Sequence, residues 1–130
     1  MPNQDFEGPQ YVEIDLQFVR GDAPQRSFYL RERDALTGTY GPLVLTGSIV
    51  TLIGKANPDD ADAQALYSYS SGGVGPRIVI DDDGSDLNDK ASKVTVSWNA
   101  ADVDEAGKHV YRLRVDDDTV VIGDIVIEAR

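Results

Sequence analysis

The chain has 130 residues, with 12 basic and 23 acidic side chains and a formal charge of −11. Such a field repels nucleic acid and anionic membranes, and no apolar run approaches a bilayer span. Cysteine is absent, which excludes disulfides, thiolate metal sites and a cysteine nucleophile.

The length suits one domain with a two-layer core. Residues 1–10 read as a loose arm, polar and interrupted by Pro2 and Pro9, without the basic and apolar regions of a signal peptide. The domain is expected over residues 11–130. In residues 11–20, Val12, Ile14, Leu16 and Phe18 alternate with Glu13, Asp15 and Gln17, the pattern of a strand with one wet face. A turn at Gly21-Asp22-Ala23-Pro24 leads to a second strand over 26–32 with Phe28 and Leu30 inward. Residues 33–42, with Gly38, Gly41 and Pro42, read as a loop. A short apolar piece at 43–45 and a turn at Thr46-Gly47 precede a strand over 48–53. That strand carries apolar groups on both faces, Val50 and Leu52 on one and Ile49 and Ile53 on the other. It is therefore covered on both sides or lies at a subunit contact.

Residues 56–64 form an acidic loop, with a helical turn expected after Pro58. Residues 66–70 read as a weak strand with Tyr67 and Tyr69 on one side, and 77–81 as a strand with Ile78 and Ile80 inward. The stretch 93–115 organises the rest. Val94, Val96 and Trp98 alternate with polar residues. Residues 99–107 are too polar and short for a core helix, so one helical turn is expected there, capped by Asn99 or Asp102 and ended near Gly107. His109, Tyr111, Leu113 and Val115 then resume the alternation. Asp116-Asp117-Asp118 makes a hairpin turn into a last strand over 119–128, where Gly123 signals a bulge or a close backbone approach. The pattern predicts an all-β, immunoglobulin-like β-sandwich of about seven to nine mostly antiparallel strands. Trp98 is expected in the core between the two sheets.

Little in the chain points to catalysis. His109 is the one histidine, and a single titratable group does not make a site. It stands in Glu105-Ala106-Gly107-Lys108-His109 where immunoglobulin-like corners read Asp-x-Gly-x-Tyr, with an aromatic that pins the arch, so a structural histidine is expected. No nucleophile elbow, zinc-protease helix or phosphate-binding loop is present, and no cofactor is expected. Of the acidic runs, Asp81, Asp83 and Asp86 hint at calcium. An EF-hand would need an acid where Val79 stands, and solvated turns explain the run as well. Tyr67 and Tyr69 are candidates for an exposed aromatic patch, with ordinary cross-strand pairing as the alternative.

Assembled, these features resemble one family, the N-terminal immunoglobulin-like domain of phage baseplate upper proteins and related tail-fibre attachment domains. The resemblance lies in residues 14–24 (IDLQFVRGDAP), in 42–52 (PLVLTGSIVTL, similar to that family's Asp-Leu-Thr-Gly and following strand, with Val44 where Asp is frequent), in 94–115, and in the closing strand 121–127. It implies a non-catalytic structural or adaptor component of a bacteriophage virion, at the baseplate, tail or fibre attachment. The partners implied are other virion proteins and further copies of the chain, without nucleic acid or membrane, in a protein made in the host bacterial cytoplasm. The family's domain usually begins a longer polypeptide, so the chain is expected to be either a stand-alone component or a trimmed domain. Apolar residues expected to supply contacts are Ile49, Ile53, Val110, Val120 and Ile122. The rival reading is a carbohydrate- or cell-surface-binding module using Tyr67, Tyr69 or Tyr40.

Overall fold

Strands form where apolar and polar residues alternate. The computed structural model describes residues 11–33, 36–73, 76–86 and 88–129, so the arm expected over 1–10 lies outside them. In chain order the strands are β1 Val12–Glu13, β2 Leu16–Val19, β3 Gln25–Arg33, β4 Tyr40–Pro42, β5 Val50–Lys55, β6 Tyr67–Ser70, β7 Ile78–Asp82, β8 Ser92–Ser97, β9 Gly107–Val115 and β10 Asp118–Glu128. One sheet runs β1-β10-β9-β5-β6, with β2 also on β10. The other runs β4-β3-β8-β7. Among the described residues only β1 and β2 pair in parallel, both with β10. Reading β3, β8 and β7 as strands B, E and D against β5, β9 and β10 as C, F and G, the order is that of an immunoglobulin sandwich. β6 sits beside C, as in variable-type domains.

The inward rows meet in one core. Phe28, Ile78, Val94 and Val96 come from the smaller sheet, and Leu52, Tyr111, Leu113, Val121 and Ile125 from the larger. Trp98, which follows β8, is completely buried, edge-on to Phe18 with ring centroids 5.0 Å apart. The stretch 99–107 crosses from one sheet to the other as expected. A 3-10 turn spans Ala100–Val103, and the Asn99 side chain accepts from the Ala101 N–H at 3.1 Å. Each orphan amide at a helical start needs such an acceptor.

Three expectations change. The strand expected over 11–20 is two pieces, and Val12 and Ile14 are exposed (55% and 38%) rather than in the core. β1 is the outermost strand of its sheet, so it has a neighbouring strand on one side alone. The segment expected to be loop over 33–42 contains β4, whose Tyr40 pairs with Arg33. The short apolar piece at 43–45 is not a strand. Leu45 is nevertheless buried, with its N–H donating to the Asp83 carbonyl at 2.7 Å. The helical turn expected after Pro58 is present, as a 3-10 turn at Asp62–Gln64.

Gly123 makes the close approach its position suggested. It lies opposite Ile14, and a Cβ built on it would stand 1.9 Å from the Ile14 carbonyl oxygen. That oxygen accepts from the Tyr111 hydroxyl at 2.6 Å, while the Ile14 N–H donates to the Ile122 carbonyl at 2.8 Å. The Asp15 carboxylate accepts from the Asp124 N–H at 3.0 Å. These bonds hold the entry strands to β10.

Candidate functional surface

Tyr67 and Tyr69 do not form an exposed patch. Both are buried, at 8% and 7% exposure. Tyr67 pairs across the strands with Gly54, and a Cβ there would fall 2.3 Å from the Tyr67 ring. The missing side chain lets the ring lie flat across β5 toward the core. There its hydroxyl accepts from the Trp98 indole N–H at 3.1 Å and pairs with His109 Nε2. Indole only donates, so the Tyr67 hydroxyl is the acceptor in its bond with Trp98.

Tyr69 stacks on Tyr67 with centroids 5.1 Å apart. Its hydroxyl donates to Asp102 at 2.6 Å and accepts from the Asn99 N–H at 3.0 Å. His109 is buried and structural in its bonding, with Tyr67 as its partner, and the aromatic that pins the arch is Tyr69 on β6. Burial pushes the Tyr67, Tyr69 and Tyr111 hydroxyls up from the ordinary phenol range. His109 and Asp102 are tied to separate tyrosines rather than to each other, so they do not form a nucleophile-activating pair.

Burial also pushes the His109 imidazole below its ordinary value. The folded state then binds fewer protons than the unfolded one in a window below about pH 6.5. The stabilisation is complete above that value and declines as pH falls through the window. The urea midpoint is therefore expected to drop between about pH 7.5 and 5.5. In a His109→Gln protein, whose side-chain amide still bonds Tyr67, that slope should flatten. An equal slope in both proteins would assign the titration elsewhere.

The five expected contact residues take different places. Ile53 faces outward but is only 6% exposed, because the chain's own 56–66 loop folds back over β5. Three cations on neighbouring outward positions hold that loop. Lys55 Nζ reaches Asp62 at 2.8 Å and donates to the Asp60 carbonyl at 2.8 Å. Arg114 grips both Asp62 oxygens, at 2.7 and 3.2 Å. Arg112 donates to the Pro58 carbonyl at 3.3 Å. Sequence reasoning missed this clamp. Its signal was three cations on adjoining outward positions facing an acidic loop.

The Arg114 and Lys55 hydrogen bonds hold the Asp62 carboxyl well below the ordinary carboxylate range. Its contribution is present above the unfolded-state value of about pH 4 and is lost as pH falls through the lower folded value. Asp62 is half exposed, so solvent screening limits the effect. Asp62→Asn is expected to cost about 1–2 kcal/mol at pH 7, the strength of a partly screened charged pair plus a buried Lys55 left with one acceptor. Urea unfolding at pH 7 and pH 3 checks this, since the difference from wild type should shrink in acid.

Val120 sits where the β9–β10 register shifts and is half-buried against the core, so it is not a free contact. Ile49 is 52% exposed but stands at the opposite end of β5, where its N–H donates to the Asp116 carboxylate at 3.1 Å and its carbonyl accepts from the Asp116 N–H at 2.8 Å. Val110 and Ile122 remain on the outer face. Val110 pairs with Asp124, and Ile122 and the 39%-exposed Val126 flank Asp124 along β10. Lys108 is paired with Asp124 at 3.3 Å.

Asp81, Asp83 and Asp86 do not gather around a common point, and no group of three or more potential ligands converges among the described residues. Asp81 accepts from the Thr95 hydroxyl. Asp83 accepts from the Ser85 N–H at 3.0 Å and Thr46 at 3.1 Å, bonds that hold its carboxyl below the ordinary range. Asp86 accepts from the Asn88 N–H at 3.0 Å. Asp83 and Asp86 each close their own turn, the usual work of aspartate in such loops, while Asp81 makes a cross-strand bond from β7 to β8. No protein-family model matches the chain, and no curated protein matches it.

Proposed function

We propose that the chain is a non-catalytic structural or adaptor component of a bacteriophage virion, acting through protein–protein assembly. The observation that carries the assembly part is the outer face of β9 and β10. There Val126 is exposed and Val110 and Ile122 are half-buried, while the adjoining strip around Ile53 is roofed by the chain's own loop. A sheet face that keeps apolar side chains in water suits a subunit contact. The viral part rests on the motifs in 14–24, 42–52, 94–115 and 121–127. These fall on the entry strands, the turn into β5, the arch between the sheets and the closing strand.

The test is light scattering on the purified chain at high concentration, alone and mixed with products of the neighbouring reading frames. Oligomers or mixed complexes that Ile122→Asp disrupts support the reading. A strict monomer in every mixture overturns the assembly part, and flanking genes unrelated to tails or capsids overturn the viral part. The carbohydrate reading has lost Tyr67 and Tyr69 to the core. It keeps Tyr40 and gains Tyr29, 65% and 64% exposed on the smaller sheet. Glycan-array binding abolished by Tyr29→Ala and Tyr40→Ala would favour it.

A further inference from the structure

The outer face of the smaller sheet carries side chains that the fold itself does not use. Phe28 and Leu30 of β3 point into the core, so Ser27, Tyr29, Arg31 and Arg33 point the other way. Cross-strand register adds Lys93 beside Tyr29, Thr95 beside Ser27 and Tyr40 beside Arg33. Tyr29 and Tyr40 are exposed, and Lys93 Nζ lies 5.9 Å from the Tyr29 ring centroid.

Arg31 stands between the two tyrosines. It is two residues from Tyr29 along β3 and diagonal to Tyr40 across the β3–β4 pair, which puts each about 7 Å away on the same face. Among the described residues no carboxylate lies within ion-pair distance of Arg31 or Lys93. The polar groups further along the face already bond one another. Gln25 donates to the Ser97 hydroxyl at 3.1 Å, the Ser27 and Thr95 hydroxyls meet at 3.1 Å, and Thr95 donates to Asp81. What stays open is a ring, a guanidinium and a second ring, with an ammonium at one end.

This arrangement narrows the occupant by chemistry. The cations call for an anion, but the chain's net charge is −11, so a ligand with few charges is favoured over one charged at every unit. Nucleic acid, with a phosphate on each nucleotide, meets that field at its worst. A peptide docks on the backbone of a strand edge or anchors a side chain in a pocket. Here the face centres on β3 and β8, interior strands of their sheet, and the cavities beside the arch and beside Leu45 are lined by other residues. A saccharide offers flat C–H faces to a tyrosine ring, whose apolar body and polar tip suit a wet contact. An acidic sugar adds the carboxylate.

We propose that the outer face of the smaller sheet binds an acidic saccharide, with a carboxylate-bearing ring held by Arg31 and neutral rings on either side stacked on Tyr29 and Tyr40. Arginine grips a carboxylate through two parallel N–H donors, and Lys93 adds charge at the Tyr29 end. The site lies on the opposite layer from β9 and β10, so it stands or falls independently of the assembly reading. It gives the carbohydrate reading a ligand class.

The probe is a hyaluronan hexasaccharide, in which glucuronate alternates with N-acetylglucosamine, titrated into the ¹⁵N-labelled full chain. Amide shifts are followed by NMR. The controls are the same hexasaccharide with its carboxylates reduced to alcohols, hexaglutamate and hexathymidylate. The expected result is a saturable shift centred on residues 27–33, 40–42 and 92–95. Affinity should fall about three- to tenfold in Arg31→Gln and in Tyr40→Ala proteins, and by a similar factor with the reduced sugar. Salt at about 0.5 M should weaken the acidic sugar and leave the reduced one unchanged. Arg31 and Tyr40 are exposed, and an unchanged urea midpoint confirms that each variant folds. The proposal is overturned by the absence of a saturable shift, by equal affinity for the reduced sugar, or by equal or tighter binding of hexaglutamate or hexathymidylate. It is also overturned if these residues shift with protein concentration alone, which would make the face a contact between copies.

Discussion

A Gly123→Ala protein is expected to lose its entry strands from the sheet. The new methyl would stand 1.9 Å from the Ile14 carbonyl oxygen and 3.1 Å from the Tyr111 ring. Neither neighbour is a flexible side-chain end, since one is backbone and the other is a buried ring. The chain can relieve the clash only by moving β1 and β2 away from β10. That gives up the Ile14–Ile122 bond, the Tyr111–Ile14 bond and the parallel pairing on either side. The Tyr111 hydroxyl would be stranded, and β10 would become an open edge. Overpacking with a broken buried hydrogen bond places the cost at about 3 kcal/mol or more. Urea unfolding reads the loss, and hydrogen exchange should speed up at residues 12–19 before the rest. A change below about 0.5 kcal/mol, the scale of ordinary surface substitutions, would mean that the close approach is not real.

The second large effect belongs to Gly54. In a Gly54→Ala protein the added methyl overlaps three atoms of the Tyr67 side chain, at 2.3, 2.6 and 2.7 Å. Tyr67 must swing out of the core, leaving the Trp98 indole N–H without an acceptor and His109 Nε2 without its partner. Two unsatisfied buried groups and a vacated aromatic site place the expected cost at about 3–5 kcal/mol. A double-mutant cycle separates this from backbone propensity. Once Tyr67→Ala has removed the ring, Gly54→Ala should cost almost nothing or stabilise slightly, because alanine is better tolerated than glycine inside a strand. Additive costs in the two backgrounds would show that the ring does not depend on Gly54. Trp98 fluorescence provides a second reading, since its hydrogen-bond partner leaves in either single variant.

Gly54 and Gly123 illustrate how differently two glycines can be read. Gly123 interrupts the run Val121-Ile122-Gly123-Asp124-Ile125, and such a break in a strand already points to a close neighbour. Gly54 ends an apolar run beside Lys55 and looked like the boundary of a strand. Its role in receiving the Tyr67 ring depends on register with a strand thirteen residues further on, which no local pattern specifies. The same holds for the tyrosines. Period-2 alternation places Tyr67 and Tyr69 on one side of β6 but does not say whether that side is inner or outer. What buries them is the set of partners that their hydroxyls find in Trp98, His109, Asn99 and Asp102. Ile53 shows the converse error. Its parity was read as outward, but burial there comes from a loop that only the Lys55, Arg112 and Arg114 positions hold in place.

Alternation along the chain was enough to determine an all-β sandwich, the burial of Trp98, Val94 and Val96, the arch over 99–107 and the turn chemistry of the aspartates. These depend on side-chain period and local backbone preference, which neighbouring residues carry by themselves. The tertiary structure alone decided which glycine admits which ring, which tyrosine pins the arch, and which outward-facing apolar residues remain in water. Those outcomes depend on pairing between residues far apart in the chain. They are settled by cross-strand register and by the acceptors and cations that folding brings within hydrogen-bond reach.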